Sequence, residues 1–193
     1  PTKADANLVG MKSNDIGALF AAYRHQIAAV IPQHLTPERI IQLATTVIAR
    51  NQDLKKCTVE SLIGAVMNAS MLGLDITPQF GQCYFIPREN GKTHKTECNF
   101  QMGYKGWVQI FRRSGEVSTI YADVVYENDD FKYERGLEPI LRHIPTDGER
   151  GKLKYAYAVI KYKDGGYNFE VLTRHDVMSR KARSMAKGSQ YSP

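Results

Sequence analysis

Residues 100–115 read FQMGYKGWVQIFRRSG, a stretch in which aromatic and cationic side chains alternate closely before a closing glycine. Its apolar residues recur at the three- and four-residue steps of a helix, and residues at such steps share one helix face. The spacing therefore predicts a helix with two stripes. One stripe is apolar (Tyr104, Trp107, Val108 and Phe111), and the other is polar and cationic (Lys105, Gln109, Arg112 and Arg113).

The apolar stripe has two interpretations. Stripes with this spacing usually pack against a core, and on that interpretation Trp107 is a buried structural residue that lies against a sheet. The alternative is a surface on which nucleic-acid bases stack. We expect the first, so that truncation of Trp107 would destabilise the fold.

The cationic stripe contains no acidic residue between Tyr104 and Ser114. Like charges at helical spacing repel one another, so the stripe is favourable where an anion lies against it. A phosphate backbone would satisfy these cations, and bulk solvent would also do so.

The first half of the chain has the helical period. Thr36 supplies an N-cap, followed by a proline and an acidic residue, and Thr58 supplies the N-cap of a later helix. Pro32 stops the first helix, and Gly73 is placed to end the last. The predicted helices cover 16–31, 36–50 and 58–72.

The second half alternates with the period of a strand. Asn90-Gly91 is a strong hairpin signal between the first two strands, and Asp164-Gly165-Gly166 reverses the chain later. Thr173 caps a final basic helix. The predicted strands cover 83–87, 96–102, 117–126, a short meander within 130–145, 153–163 and 167–172.

This order of elements predicts an α+β fold: a helical N-terminal part, then an antiparallel sheet with an embedded central helix and a C-terminal basic helix. We expect one continuous domain, with a helical part over 1–75 that makes subunit contacts and a DNA-binding sheet core over 76–193. The chain stops just after a basic run, and we expect that it is a trimmed piece of a longer protein.

Charge is distributed unevenly. The net charge is +6, but residues 81–193 hold 19 Lys+Arg against 14 Asp+Glu, so this half carries most of the excess. A basic half favours a polyanionic partner, and nucleic acid is the leading candidate for that partner. The alternative is a solvated basic surface that keeps the protein soluble. The sequence has neither a signal-peptide pattern nor an apolar run of about 20 residues, which predicts a soluble intracellular protein with no membrane partner.

Three cysteines at wide spacing predict a reducing compartment rather than a disulfide scaffold. Cys83, His94 and Cys98 make a poor zinc site, because no second pair of ligands accompanies them. A metal-dependent nuclease would use the carboxylates of Asp123, Glu127, Asp129 and Asp130, but Asp129-Asp130 fits a turn better than a metal site. The sequence has no phosphate-binding loop of the ATPase kind.

Five blocks of sequence resemble the RecT family of phage single-strand annealing proteins, in the same order, over about residues 35–193. The third and fourth of these blocks are the most specific. The blocks are Leu72-Gly73-Leu74, Tyr84-x-Ile86-Pro87, Gly103-Tyr104-Lys105-Gly106, Arg112-Arg113-Ser114-Gly115, and Lys181-Ala182-Arg183-Ser184 leading to Ser192-Pro193.

The resemblance implies a recombinase without covalent chemistry that oligomerises on single-stranded DNA and anneals it to a complementary strand without ATP. It implies a homo-oligomer, a phage exonuclease partner and the cytoplasm of a bacterial host cell. It also implies a core fold distantly similar to that of the eukaryotic annealing proteins, an antiparallel sheet crossed by a helix. No cofactor is expected; Mg²⁺ is compatible with the sequence but not required by it. A metal-dependent nuclease of phage DNA metabolism and a basic structural assembly protein are the alternative functions.

Annealing requires that phosphates are held while bases stay available, so Lys and Arg along a groove are the expected contacts. In the strand 153–163, Lys154 alternates to the face opposite Lys161, and the sequence does not say which face meets DNA. The hairpin that carries Arg88, Lys92 and Lys95 either projects into DNA or is a solvated loop. The predicted DNA contacts are Lys105, Gln109, Arg112, Arg113, Lys154, Lys161, Arg174, Lys181, Arg183 and Lys187.

Overall fold

A computed structural model describes residues 6–183, and the chain divides into two compact units, Pro1–Arg113 and Ser114–Pro193. The division falls between Arg113 and Ser114, whereas the sequence placed a boundary near residue 75. The hairpin and the central helix therefore belong with the N-terminal helices. None of the helices within 6–183 has the length and apolarity that a bilayer span requires.

Helices dominate the first unit. Thr36 and Thr58 act as N-caps, since each side chain accepts a hydrogen bond from the backbone N–H three residues later. Gly73, with φ +59°, follows the last of these helices, as the sequence predicts. The helices are α1 Ser13–Ala21, α2 Arg24–Val30, α3 Pro37–Arg50, α4 Gln52–Lys55 and α5 Val59–Met71.

Residues 16–31 were predicted as one helix, and that prediction is wrong: α1 and α2 are separated at Ala22-Tyr23. Tyr23 leaves the helical region (φ −96°, ψ 11°), and its N–H bonds the carbonyl of Phe20 in a tighter turn. The break lets Phe20 on α1 and Ile27 on α2 both lie buried in the core. The one-turn helix α4, which Asn51 caps, was not predicted.

Strands β1 (Cys83–Glu89) and β2 (Thr96–Met102) form an antiparallel hairpin in the first unit. Their connection spans 90–95 and is not a two-residue Asn-Gly turn, since the left-handed residue of the loop is His94 (φ 52°). Strand β2 is tied to the start of α5, because the Ser61 hydroxyl accepts a hydrogen bond from the N–H of Cys98 at 2.9 Å. The hairpin thus shares the core of the helices.

The three cysteines are free and buried in this core. Burial raises the pKa of the Cys83 thiol to about 12, which opposes the deprotonation that a zinc ligand requires. Across 6–183, no three His, Cys, Asp or Glu side chains are grouped so that they could hold a metal ion. Cys83, His94 and Cys98 therefore do not come together as ligands.

The second unit is built on antiparallel strands. A three-stranded sheet has the order β3-β6-β7, and β4 pairs with β5 in a separate two-stranded sheet. Thr173 and Asp176 cap the helix that follows β7 through reciprocal hydrogen bonds. The elements are β3 Val117–Tyr126, β4 Asp130–Glu134, β5 Ile140–Ile144, β6 Leu153–Tyr162, β7 Tyr167–Thr173 and α7 Arg174–Arg183.

The α+β class is thus confirmed, with helices first, antiparallel strands after them and a helix at the end. The strands, however, are divided among three sheets instead of forming one. In the second unit, one face of the three-stranded sheet carries the core residues Val125, Tyr157, Val159 and Val171. Phe131 from β4 and Leu141 from β5 pack against that face.

A buried ion pair closes one end of the second unit's core. The carboxylate of Asp129 is fully buried, and Arg150 donates to both of its oxygens, at 3.0 and 2.6 Å. The N–H groups of Tyr126 and Thr146 donate to the same carboxylate. The ring of His143 lies between Asp129 and the hydroxyl of Tyr157. These contacts tie the β3–β4 connection to the segments that follow β5.

Acid should weaken this ion pair in a defined pH range. The hydrogen bonds from Arg150, and then those from the backbone, hold the pKa of Asp129 well below its usual range. The stabilisation is therefore complete above the unfolded-state pKa of about 4 and declines as the pH falls below it. We expect Asp129→Asn to lower the melting temperature at pH 7, and the difference from the parent protein to shrink below about pH 4.

The matched control is Asp130→Asn, because Asp130 pairs with Arg142 at the exposed surface. Its effect on the melting temperature should be small at every pH. A constant difference between Asp129→Asn and the parent protein from pH 7 to pH 3, measured by thermal denaturation, would contradict the assignment.

Candidate nucleic-acid interface

Helix α6, Tyr104–Ser114, starts directly after β2, and its first turn lies against the backbone that precedes β1. A Cβ atom at Gly103 would lie 2.3 Å from the carbonyl oxygen of Gly81, and one at Gly106 would lie 2.2 Å from that of Gln82. The N–H of Gly103 also donates to the Gln82 oxygen at 2.9 Å. Only glycine permits this approach of backbone to backbone. The two glycines therefore determine which side of α6 faces inward.

The inward side of α6 carries Gly106, Ile110 and Arg113. Gly106 is buried, and Ile110 packs against the core of the first unit. Arg113 reaches the end of α5, where its guanidinium donates to the carbonyl of Gly73 at 3.1 Å and to that of Leu72. A Cβ atom at Gly73 would lie 2.5 Å from Nη1 of Arg113. A side chain at position 73 would therefore displace the guanidinium of Arg113.

This geometry changes the interpretation of Arg113, which the sequence grouped with the DNA contacts. Its donors are directed at the carbonyls of Leu72, the C-cap of α5, and of Gly73, the residue that follows. A cation at a helix C-terminus also interacts favourably with the negative end of the helix dipole. We therefore assign Arg113 to the scaffold that holds α6 in place, and we remove it from the proposed DNA contacts.

The prediction that Trp107 is a core residue is wrong. Its side chain is 51% exposed, and that of Tyr104 is 73% exposed. Hydrophobic periodicity identified the aromatic stripe as the inward side because glycine contributes nothing to such a pattern. The signal that would have identified the inward side is the pair Gly103 and Gly106, three residues apart at the start of a helix.

The outer face of α6 is defined by the residues that point away from the core. Trp107 and Phe111 stack with ring centroids 6.2 Å apart and planes at 28°. A rotation of about 100° per residue places Val108 between the aromatic stripe and the cations. Lys105, Gln109 and Arg112 are all exposed on that cationic side. The outer face of α6 therefore consists of Tyr104, Lys105, Trp107, Val108, Gln109, Phe111 and Arg112.

Tyr84 adds to this surface, and sequence reasoning missed it. A Cβ atom at Gly81 would lie 3.0 Å from the hydroxyl of Tyr84 and 3.5 Å from Cδ of Lys105. Tyr84 is exposed, and its hydroxyl and the stem of Lys105 both lie against Gly81. The left-handed Gly81 (φ +63°) permits that approach.

The hairpin cations are partly balanced by local carboxylates. Arg88 lies opposite Glu97 across the two strands, and His94 contacts Glu89. Lys92 is exposed in the loop, and Lys95 is half-buried. The hairpin therefore presents a weaker positive surface than α6.

The remaining predicted cations lie in the second unit. Lys154 and Lys161 are exposed on opposite faces of β6, as the alternation predicts. Lys161 borders a depression of about 300 Å³ beside Tyr121 and Tyr167. On α7, Arg174 and Lys181 are exposed and seven residues apart, which puts them on one helix face. Arg183 is the last residue of α7, and Lys187 lies outside the described residues.

The acidic residues considered for a nuclease each have local partners, and Asp123 and Asp129 lie on either side of the His143 ring. Asp129 is buried and saturated by Arg150 and backbone donors. Glu127 accepts from the N–H of Lys152, and Asp130 pairs with Arg142. Asp123 accepts from the N–H of Val124. Within 6–183 these carboxylates do not converge on one point that a metal ion would fill.

Comparisons with known proteins identify one family. The sequence profile of the RecT family matches residues 38–192. The chain is 34% identical to Protein RecT of Escherichia coli K12 over 196 aligned residues, which cover all of this chain and 72% of that protein. It is 29% identical to the uncharacterized protein YqaK of Bacillus subtilis 168 over 111 residues, 58% of this chain and 34% of that protein. The chain belongs to the RecT family of recombination and annealing proteins.

Proposed function

We propose that this protein binds single-stranded DNA through its phosphates, oligomerises on the strand and anneals it to a complementary strand without ATP. The observation that carries the proposal is the outer face of α6, where Lys105 and Arg112 are exposed on a helix without an acidic residue. Membership of the RecT family supports the same function. The protein would act in the cytoplasm of a bacterial host cell beside a phage exonuclease.

Backbone contacts suit annealing better than contacts that read bases. An annealing protein must hold any sequence, and phosphates are present in every sequence. Lys105 and Arg112 are seven residues apart, about two turns or roughly 10 Å along the helix axis. That separation is comparable to one or two nucleotides of an extended strand. Gln109 lies between them and adds an uncharged donor.

The second unit would supply further phosphate contacts. Arg174 and Lys181 share a face of α7, and Lys154 and Lys161 extend from β6. We propose Arg174 and Lys181, together with Arg183, as a second cationic group. The sequence places Lys187 in the same group. The hairpin residues Arg88, Lys92 and Lys95 are weaker candidates for phosphate contacts.

Oligomerisation follows from the small number of contacts per subunit. Even with the contacts proposed in the second unit, one subunit neutralises only a few phosphates, and neighbouring subunits on one strand add their contacts through high effective concentration. The first unit offers surface for such packing. A groove of about 480 Å³ lies between α3 and the short 3-10 helix Pro78–Phe80, and Leu43, Val47 and the exposed Phe80 line it. We propose the N-terminal helices as subunit contacts on this basis.

Substitution of Lys105 and Arg112 tests the cationic side of α6. Lys105→Ala and Arg112→Ala should each weaken binding to single strands of every sequence alike. Each should also reduce the slope of log K against log [salt] by roughly one. Filter binding or fluorescence anisotropy over a salt series measures both quantities. If both variants bind and anneal like the parent protein at physiological salt, the DNA-binding surface lies elsewhere.

Arg113 should behave differently from its neighbour. Arg113→Ala leaves carbonyls at the end of α5 without a charged donor, and because Arg113 is itself exposed we expect a moderate loss of about 0.5–1.5 kcal/mol in urea denaturation. Arg112→Ala is the control and should cost less than about 0.5 kcal/mol, since Arg112 is equally exposed but lies on the outer face of α6, away from the end of α5. A normally stable Arg113→Ala protein with a reduced salt slope would return Arg113 to the DNA contacts.

Oligomerisation is tested by measuring the mass of the protein with and without DNA. We expect large complexes when a long single strand is added, a further change when its complement follows, and recovery of full-length DNA with no nucleotide present. Light scattering reports the mass, and a denaturing gel reports the DNA. A protein that stays monomeric on a long strand would rule out the oligomer, and cleaved DNA would instead favour a nuclease.

A further inference from the structure

The outer face of α6 exposes more aromatic surface than phosphate binding needs. Trp107 and Tyr104 are 51% and 73% exposed, and Phe111 stacks beside Trp107. Lys105 and Arg112 would meet phosphates equally well if alanines replaced these rings. Exposed apolar groups that adjoin one another mark a surface for interaction.

We propose that Trp107 and Tyr104 form a platform on which bases of a single DNA strand stack, while Lys105 and Arg112 hold the adjoining phosphates. The inference rests on the proposed function and deepens it by adding a contact to the bases. Stacking is tolerant of sequence, because every base has a π-face. The platform is therefore compatible with annealing of any strand.

The arrangement of the two stripes matches the chemistry of a nucleotide. A nucleotide presents an anionic phosphate on one side of its sugar and a flat aromatic base on the other. On α6 the cations and the rings run side by side, with only Val108 between them. A strand that lies along the helix would meet both stripes at once. Tyr84, which lies against Gly81 as the stem of Lys105 does, adds another exposed ring near the cationic side.

A second copy of the chain fits this face less well. In a symmetric contact the same patch meets itself, so Lys105 and Arg112 of one copy would approach their equivalents in the other. Helix α6 carries no carboxylate that would neutralise them. Like charges brought together at an interface cost free energy. Charge complementarity therefore favours a polyanion over a symmetric contact between two copies, and we take a polyanion as the occupant.

Stacking would also make the surface selective for single strands. In a duplex each base is stacked between its neighbours, and its π-face is not available to a side chain. Phosphates, in contrast, are present in both forms. Lys105 and Arg112 alone would bind duplex and single strand with similar contacts, and the rings would add affinity for the single strand only.

The sequence supplies a direct probe, since Trp107 is the only tryptophan in the chain. We expect its fluorescence to be quenched, and to become shielded from acrylamide, when oligo-dT is added to the protein. An abasic oligonucleotide of the same length carries the same phosphates without bases. It should bind with the same salt slope but weaker affinity, and should leave the tryptophan accessible to acrylamide.

Substitutions separate the base contact from the phosphate contact. Trp107→Ala should weaken oligo-dT binding by about 5- to 150-fold, the range for one stacked base, without change in the salt slope or in affinity for the abasic strand. Trp107→Phe should retain most of the affinity. Leu137→Ala removes a fully exposed apolar side chain from the loop between β4 and β5 and should have no effect.

Each result has one interpretation. Unchanged oligo-dT affinity in Trp107→Ala, with no quenching in the parent protein, would overturn the platform and leave phosphate binding intact. Equal loss of affinity for both strands would also overturn it. A Trp107→Ala protein that binds DNA normally but assembles to a smaller mass would identify the face as a subunit contact. Failure of the parent protein to bind either strand would overturn the proposed function as well.

Discussion

Two backbone carbonyls, those of Gly81 and Gln82, determine which side chains of α6 face outward. They approach Gly103 and Gly106 so closely that no side chain fits between them. Arg113 fixes the other end of the helix on the carbonyls of Leu72 and Gly73. With both ends held, the rotation of α6 about its axis is determined. The rings and the cations on its outer face then have fixed positions before any ligand arrives.

Several of the sequence blocks that carry the family resemblance contain the residues that hold α6 in place. The block Leu72-Gly73-Leu74 contains the carbonyls that Arg113 contacts. Gly103 and Gly106 pack against the backbone of Gly81 and Gln82, just before β1. These residues are distant in the chain, yet they form one set of contacts in the first unit. Family resemblance therefore identified the residues that orient the helix. The residues proposed to contact DNA are the ones that this scaffold leaves exposed.

Much of the fold was predictable because its signals are local. Caps at Thr36 and Thr58, the closing glycines and strand alternation predicted most of α3, α5 and β3 to β7. The split of 16–31 was not, since it depends on burying Phe20 and Ile27 together in the core. The inward side of α6 was mispredicted for a related reason. Hydrophobicity measures what side chains prefer, whereas here the absence of a side chain allows the closest packing.

The candidate site was predictable in its composition but not in its arrangement. The sequence singled out a cationic stripe, yet it could not separate Arg113 from Lys105 and Arg112, because all three share one spacing pattern. The difference lies in partners some forty residues earlier in the chain. Once Arg113 is assigned to the scaffold, two cations remain beside the exposed rings of Trp107 and Tyr104. Two cations on α6 add only a few phosphate contacts to those proposed for the second unit, so both base stacking and association between subunits would strengthen binding.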